Sequence, residues 1–280
     1  MSVKRLAELA LACILLESWS QSVCPAPCAL CGEFGRALPR WRRFLIEQCE
    51  DQRYAEYARK VPARGLDALL PYLALRSGGY RYDFHEESLR RLESSGLLDL
   101  REREAYRFLE AQWILWRAGW SVAEPDWKGL FMRTSLARRR RLSYIDTISV
   151  YAATHSVFYI TDFGDRALGE LADLRGEVTE FLTCSLVHYW RLHHWDLVGE
   201  CLLALACLNT ERRSLAVAAE GALARRWWEG RLPATSRDEE ACRQSETTLG
   251  AEERFRSCYH SSLIGILVAG RTHHNDVLSG

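Results

Sequence analysis

The chain has 280 residues, with 37 basic and 37 acidic side chains and 48% hydrophobic residues, a balance that excludes a disordered, collagenous or coiled-coil protein. A chain of this size buries roughly 75% of its unfolded surface and needs no disulfides to fold. Zero formal net charge leaves no global field to collect phosphates, so neither nucleic acid nor a membrane is an expected partner, and a small molecule, a peptide or a protein is.

The first segment, 3–16 (VKRLAELALACILL), sets two basic residues before an apolar run. Glu8 and Glu17 interrupt that run and no small-x-small cleavage site follows, so it reads as an amphipathic helix carried by Leu6, Leu9, Ala10, Cys13 and Leu16, not as a signal peptide. No stretch reaches about 18 uninterrupted apolar residues, the length a membrane span requires. A cytoplasmic protein is expected, with its ten cysteines as free thiols.

Next in the chain, Cys24, Cys28 and Cys31 stand in CPAPCALC, the C-x3-C-x2-C spacing with which radical S-adenosylmethionine enzymes hold an iron–sulfur cluster. Those enzymes place the loop on a partial α/β barrel, and the chain continues here as amphipathic helices, so a cluster is not expected. Zinc, with Cys49 as fourth thiolate, lacks a second Cys-x2-Cys pair. Buried or incidental cysteines in a proline-bearing connection are the favoured reading.

Apolar periodicity predicts helices over 3–20, 38–60, 64–76, 84–95, 100–118, 143–161, 166–192, 195–209, 213–229 and 251–270. Pro62, Gly78, Gly79, Gly96, Gly119, Pro125, Gly164, Gly230 and Pro233 punctuate them, and Asp99 and Ser143 stand where N-caps belong. The polar stretch 231–250 reads as a long connection with one helical turn at most, and Arg138–Arg141 as a solvated turn. Strand signals are nearly absent, so the expected class is all-α: stacked αα-hairpins, closed into an α/α ring (toroid) or packed as a compact helical array. Two regions are expected, 1–130 and 131–280, which the pattern equally allows to form one continuous domain.

Seven of the eight histidines follow residue 154, beside acidic residues in apolar helices. In THSVFYITDFG, His155 and Asp162 are two helical turns apart and share a face if the helix continues that far. Burying an unpaired carboxylate costs several kcal/mol, so Asp162 must cap a helix, find a cation or line a polar cavity. A second cluster holds His188, His193, His194, Asp196 and Glu200. Asp196 suits the helix dipole in a first turn, but Glu200 lies deep in an apolar helix. Tyr259 and His260 form the third cluster, and His273 and His274 fall where fraying is expected. If the helices surround a common axis, His155, Asp162, Asp196 and His260 make an acid/base set, with Tyr159, Trp195, Glu200 and Tyr259 as substrate contacts. The same composition serves a two-histidine, one-carboxylate metal site formed by His155, Asp196 and His260. No cofactor is favoured and a metal ion is the alternative. P-loop, dinucleotide, HExxH and GxSxG motifs are all absent from the sequence.

The strings THSVFYITDFG, HHWDLVGECLLALACL and YHSSLIGIL, in that order, resemble a family of helical proteins of actinobacteria known as a domain of unknown function, DUF6895. The resemblance covers residues 140–270. It implies a place in natural-product gene clusters, including peptide-derived ones, and marks His155, Asp162, Asp196 and His260 as the positions to carry over, with Thr161 and Gly164 setting shape. The expected activity is a tailoring enzyme in natural-product biosynthesis that moves a proton next to a carbonyl, as in epimerisation or isomerisation, on a peptide or small natural-product intermediate. The alternatives are a metal-dependent oxidoreductase using the same residues and a non-catalytic helical partner of a peptide or of another biosynthetic protein.

Overall fold

The computed structural model describes residues 3–23, 29–98, 102–121, 123–138, 146–209, 214–243 and 250–279. Among these, all regular structure is helical apart from one isolated bridge between Trp228 and Arg231, so the all-α class holds. No described helix is long and apolar enough to cross a membrane. The chain divides into two compact units, Met1–Pro125 and Asp126–Gly280.

The first unit contains α1 (Val3–Val23), α2 (Ala29–Glu50), α3 (Arg53–Lys60), α4 (Gly65–Ser77), α5 (Asp83–Ser94) and α6 (Ala105–Arg117). Helix α4 is buried along most of its length, from Leu66 to Leu75, and packs against α1, α2, α3, α5 and α6. The helix expected over 38–60 is two helices. It breaks at Asp51, whose carboxylate accepts the Arg53 backbone N–H at 3.1 Å, a local bond that competes with helix continuation. Its beginning lies earlier than expected, because α2 runs through Pro39. Of the cysteine trio, Cys24 and Cys28 and the Cys31 side chain lie outside the described residues; Cys49 is buried, which pushes its thiol up to about 12, with Glu50 adding. Polar groups tie the unit together. Arg76 Nε donates to Glu86 at 2.7 Å, the Tyr72 hydroxyl donates to the same carboxylate, and the Arg76 guanidinium also reaches the Ala118 carbonyl.

The second unit contains α7 (Trp127–Met132), α8 (Ser135–Arg138), α9 (Thr147–Ile160), α10 (Arg175–Arg191), α11 (Trp195–Cys207), α12 (Ser214–Ala224), α13 (Ser236–Arg243) and α14 (Ala251–Ser279). Helix α11, apolar nearly all round, packs against α9, α10, α12 and α14, as the wholly apolar pattern requires. Several boundaries differ from the sequence pattern: the helix expected over 166–192 begins only at Arg175, after a 3-10 segment Gly169–Leu174, and the one expected over 213–229 ends at Ala224. Asp99 and Ser143, the expected N-caps, lie outside the described residues; α9 is capped by Asp146, which accepts the Ser149 N–H at 2.9 Å. Within 231–250 a two-turn helix, α13, forms because Thr235 accepts the Asp238 N–H. Helix α14 continues to Ser279, and His274, expected to fray, is buried.

After Ile160 the chain leaves α9 through a tight turn. Thr161 accepts the Gly164 N–H at its hydroxyl, and Asp162, Phe163 and Gly164 all have positive φ, of 48°, 53° and 94°. Arg271 of α14 fills the turn from the interior. It donates to the Gly164 carbonyl at 2.7 Å, to Asp165 Oδ1 at 2.8 Å and to Asn209 Oδ1 at 3.3 Å. Thr161 and Gly164 thus do set shape, and the shape is a socket for a buried arginine.

Candidate functional site

Three helices of the second unit bring the polar residues together. On α9, Tyr151, Thr154 and His155 are spaced i, i+3 and i+4, so one face carries all three. On α11, Asp196 and Glu200 are one turn apart and both buried. His260 comes from α14.

Glu200 is the centre. Its Oε2 accepts the Thr154 hydroxyl at 2.7 Å and lies 3.7 Å from His155 Nδ1, while Oε1 meets His260 Nε2 at 3.3 Å. Asp196 Oδ2 accepts the Tyr151 hydroxyl. Its Oδ1 is buried, makes no hydrogen bond with the described residues and lies 3.9 Å from the same His260 nitrogen. The carboxylates are interior and the imidazoles reach outward: 1% and 7% of the Glu200 and Asp196 side chains are exposed, against 19% for His155 and 23% for His260.

Local structure fixes the imidazoles differently. His155 Nδ1 lies 2.8 Å from the Tyr151 carbonyl of its own helix. A carbonyl only accepts, so Nδ1 carries the proton in the neutral ring and Nε2, on the far side, keeps its lone pair. In His260 both nitrogens are turned inward, with Nε2 on Glu200 and Nδ1 buried.

Electrostatics separate the two carboxylates. Burial pushes Glu200 up, yet His155, His260 and the Thr154 hydroxyl together outweigh it and hold its carboxyl below the ordinary value. Asp196 is held above the ordinary value, chiefly by burial, with His260 opposing and the Glu200 charge adding. Burial and the neighbouring Asp196 also push the Tyr151 phenol up. Carboxylates driven apart in this way are the pattern of acid/base sites.

The structure gathers His155, Asp196 and His260 as the sequence pattern anticipated, and it leaves Asp162 elsewhere. Helix α9 ends at Ile160, so Asp162 does not share the face of His155 and lies instead in the turn that follows the helix. Glu200, expected to touch substrate, is enclosed and holds both histidines instead. Trp195 is also interior: its indole N–H is buried with no hydrogen-bond partner among the described residues, and the Arg226 guanidinium lies 4.6 Å from the ring centre. Tyr159 is buried edge-on to His155 at 6.0 Å, and Tyr259 is half-buried and stacked on Phe255 at 5.3 Å. Among the described residues no group of three or more histidine, cysteine, aspartate or glutamate side chains is disposed to hold a metal ion. The alternative metal triad of His155, Asp196 and His260 is not among such groups. Tyr151 was missed by the sequence reading, although its place one turn before His155 was the available signal.

The sequence model of the family described as "Domain of unknown function (DUF6895)" matches residues 1–270. The likeness drawn from residues 140–270 therefore extends through the N-terminal unit. No curated protein and no solved structure matches the chain.

Proposed function

We propose that this chain, which belongs to the DUF6895 family, is an acid–base enzyme that moves a proton at a carbon next to a carbonyl in a peptide or other natural-product intermediate. The observation that carries this reading is one fully buried carboxylate, Glu200, shared by two partly exposed histidines, with His155 held by its backbone in the tautomer that leaves Nε2 basic. His155 is the catalytic residue. Its Nε2 takes the proton, and the resulting imidazolium is stabilised by Glu200 at 3.7 Å, in surroundings too poor in water to screen it. Return of the proton to an adjacent carbon is isomerisation; return after the planar intermediate has turned is epimerisation. Thr154, Tyr151, Asp196 and His260 are positioning residues that keep Glu200 ionised and in place. The natural-product substrate class rests on the resemblance of the three sequence strings.

The test needs no knowledge of the substrate. The full chain is incubated in D2O with a panel of N-acetyl dipeptide amides and cyclic dipeptides, and deuterium at the α-carbons is read by mass spectrometry. At least one compound takes up deuterium faster than in buffer, and His155→Asn slows that uptake by about 100-fold or more while keeping the unfolding midpoint. Absence of uptake across the panel, or equal uptake by the variant, rejects the proposal. A purely structural tie among α9, α11 and α14 would instead give variants that lose stability with no exchange activity to lose.

A further inference from the structure

Proton transfer next to a carbonyl serves two reactions, epimerisation and isomerisation, and the placement of the two imidazoles separates them. Inverting a carbon within one binding event takes two proton-carrying groups, one on each face, each within about 3–3.5 Å of the reacting atoms. Two histidines supply the composition for that. Their geometry is different, because the Glu200 carboxylate bridges the rings: Oε2 lies 3.7 Å from His155 Nδ1, and Oε1 lies 3.3 Å from His260 Nε2. The place between the bases that an inverting site gives to the substrate carbon is filled by a buried carboxylate.

The ring nitrogens make the same distinction. His155 turns Nδ1 to the Tyr151 carbonyl at 2.8 Å, so in the neutral ring Nδ1 carries the proton and Nε2 keeps its lone pair. In His260, Nε2 is held by Glu200 with Asp196 Oδ1 3.9 Å away, and Nδ1 is buried. The hydroxyls of the cluster are committed inward as well, Thr154 donating to Glu200 and Tyr151 to Asp196. Among these described groups, His155 supplies the base and the others hold its counter-charge.

We propose that the site works with one base on one face of its substrate, and that the substrate is a β,γ-unsaturated carbonyl compound whose double bond is moved into conjugation. This rests on the acid–base reading of His155 and narrows it. Nε2 takes a proton from the α-carbon as the C–H electron pair spreads over the carbonyl and the double bond. The proton then passes from Nε2 to the γ-carbon on the same face. One C–H bond is broken and one formed, the double bond shifts from β,γ to α,β, and the imidazole ends as it began, so no oxidant, reductant or second substrate enters. Epimerisation is not completed in this way, because a proton returned to the α-carbon from the side it left restores the original configuration.

The experiment uses two sets of probes with the full-length chain. N-acetyl dipeptide amides that take up deuterium at the α-carbon in D2O are analysed for configuration, and amides and thioesters of vinylacetic acid are followed by the ultraviolet absorbance of the conjugated crotonyl product. Deuterium enters the dipeptides with configuration retained in nearly every labelled molecule. At least one vinylacetyl compound is converted faster than in buffer, and His155→Asn slows that conversion by about 100-fold or more. His260→Gln, whose amide can still donate to Glu200, changes the rates without changing the ratio of inversion to exchange, a ratio that a structural role does not move. Inversion that keeps pace with exchange, a ratio that shifts in His260→Gln, or vinylacetyl compounds left unconverted while dipeptides exchange overturns the one-base proposal and leaves His155 a base. Absence of both exchange and conversion rejects the acid–base reading itself, and the one-base proposal with it.

Discussion

Gly164→Ala tests the turn that closes α9. Gly164 has φ = 94°, a region where an L-residue is strained by about 1–2 kcal/mol. A methyl group there would also lie 2.5 Å from Arg271 Cζ and 2.7 Å from Nε, well inside van der Waals contact. The guanidinium has nowhere exposed to go: its side chain is 2% exposed and pinned to the Gly164 carbonyl and to Asp165. Withdrawing it strips a buried guanidinium of its bonds to the Gly164 carbonyl and to Asp165, which is itself exposed, and a buried charge left short of partners costs about 3–5 kcal/mol. Because the arginine keeps some partners, the two costs do not add fully, and we expect a total of about 3–5 kcal/mol, or roughly 10 °C in the melting temperature of a unit this size. The chain has two units, so the readout is hydrogen exchange in peptides from residues 126–280, with thermal melts alongside. An Arg271→Met background separates the causes. There Gly164→Ala should cost only the backbone strain of about 1–2 kcal/mol. An equal loss in both backgrounds, or a loss below about 1 kcal/mol in the single variant, refutes the socket.

The two carboxylates give variants of opposite sign. Glu200 is lowered in the fold, so its contribution is present above about pH 4.3 and lost as the pH falls through its lower folded value; Asp196 is raised, so its contribution is present below about pH 3.9 and lost as the pH rises through its higher folded value. At pH near 8, Glu200→Gln should therefore lower the urea midpoint while Asp196→Asn leaves it unchanged or raises it; the reverse order would refute the assignment. His85 is buried, and burial lowers it, with its hydrogen bond to the Cys49 carbonyl opposing. Between that lowered value and the ordinary value of about 6.5, the unfolded chain binds a proton that the folded chain does not, so stability falls as pH falls through this window. Urea midpoints measured across it should slope, and His85→Gln should flatten the slope. Asp162→Asn should leave deuterium uptake within about twofold, well short of what loss of an acid/base group costs, because Asp162 lies in the turn beyond α9, off the helix face that carries His155; a large loss would place it in the site after all.

Periodicity made most helices legible, and it failed where one side chain decides. The break at Asp51 follows from a carboxylate bonding to a backbone two residues on, and the start of α9 from Asp146; neither changes an apolar pattern. Asp162 looked like a partner for His155 only on a helix that continues, and the positive φ of Asp162 and Phe163 ends that possibility. Among the polar residues, Glu200 was legible as an anomaly in an apolar helix, but its use was not: a buried carboxylate serves as readily to hold other side chains as to hold a ligand. Tyr151 and Arg271 carried no signal of comparable strength. An aromatic in an apolar helix reads as core, and the partners of Arg271, at Gly164, Asp165 and Asn209, lie too far along the chain for spacing to reveal.

The convergence itself has a physical origin in α11. A helix that is apolar all round packs against neighbours on every side, so any polar residue it carries must be satisfied by another helix. Asp196 and Glu200 therefore require donors from outside α11, and Tyr151 and Thr154 on α9 and His260 on α14 supply them. Placing an acidic pair in the most buried helix recruits residues distant in sequence to one point, and it leaves the recruited histidines partly exposed at the boundary of the interior. Hydrophobic burial of α11 is thus the force that holds the histidines against Glu200. It follows that a substitution such as Leu203→Ala, fully buried in α11 and remote from any proton, should loosen the cluster as well as lower stability by about 3 kcal/mol. Deuterium uptake should then fall at temperatures where the unit is still folded by hydrogen exchange, and unchanged uptake there would show that the histidines are held by local contacts alone.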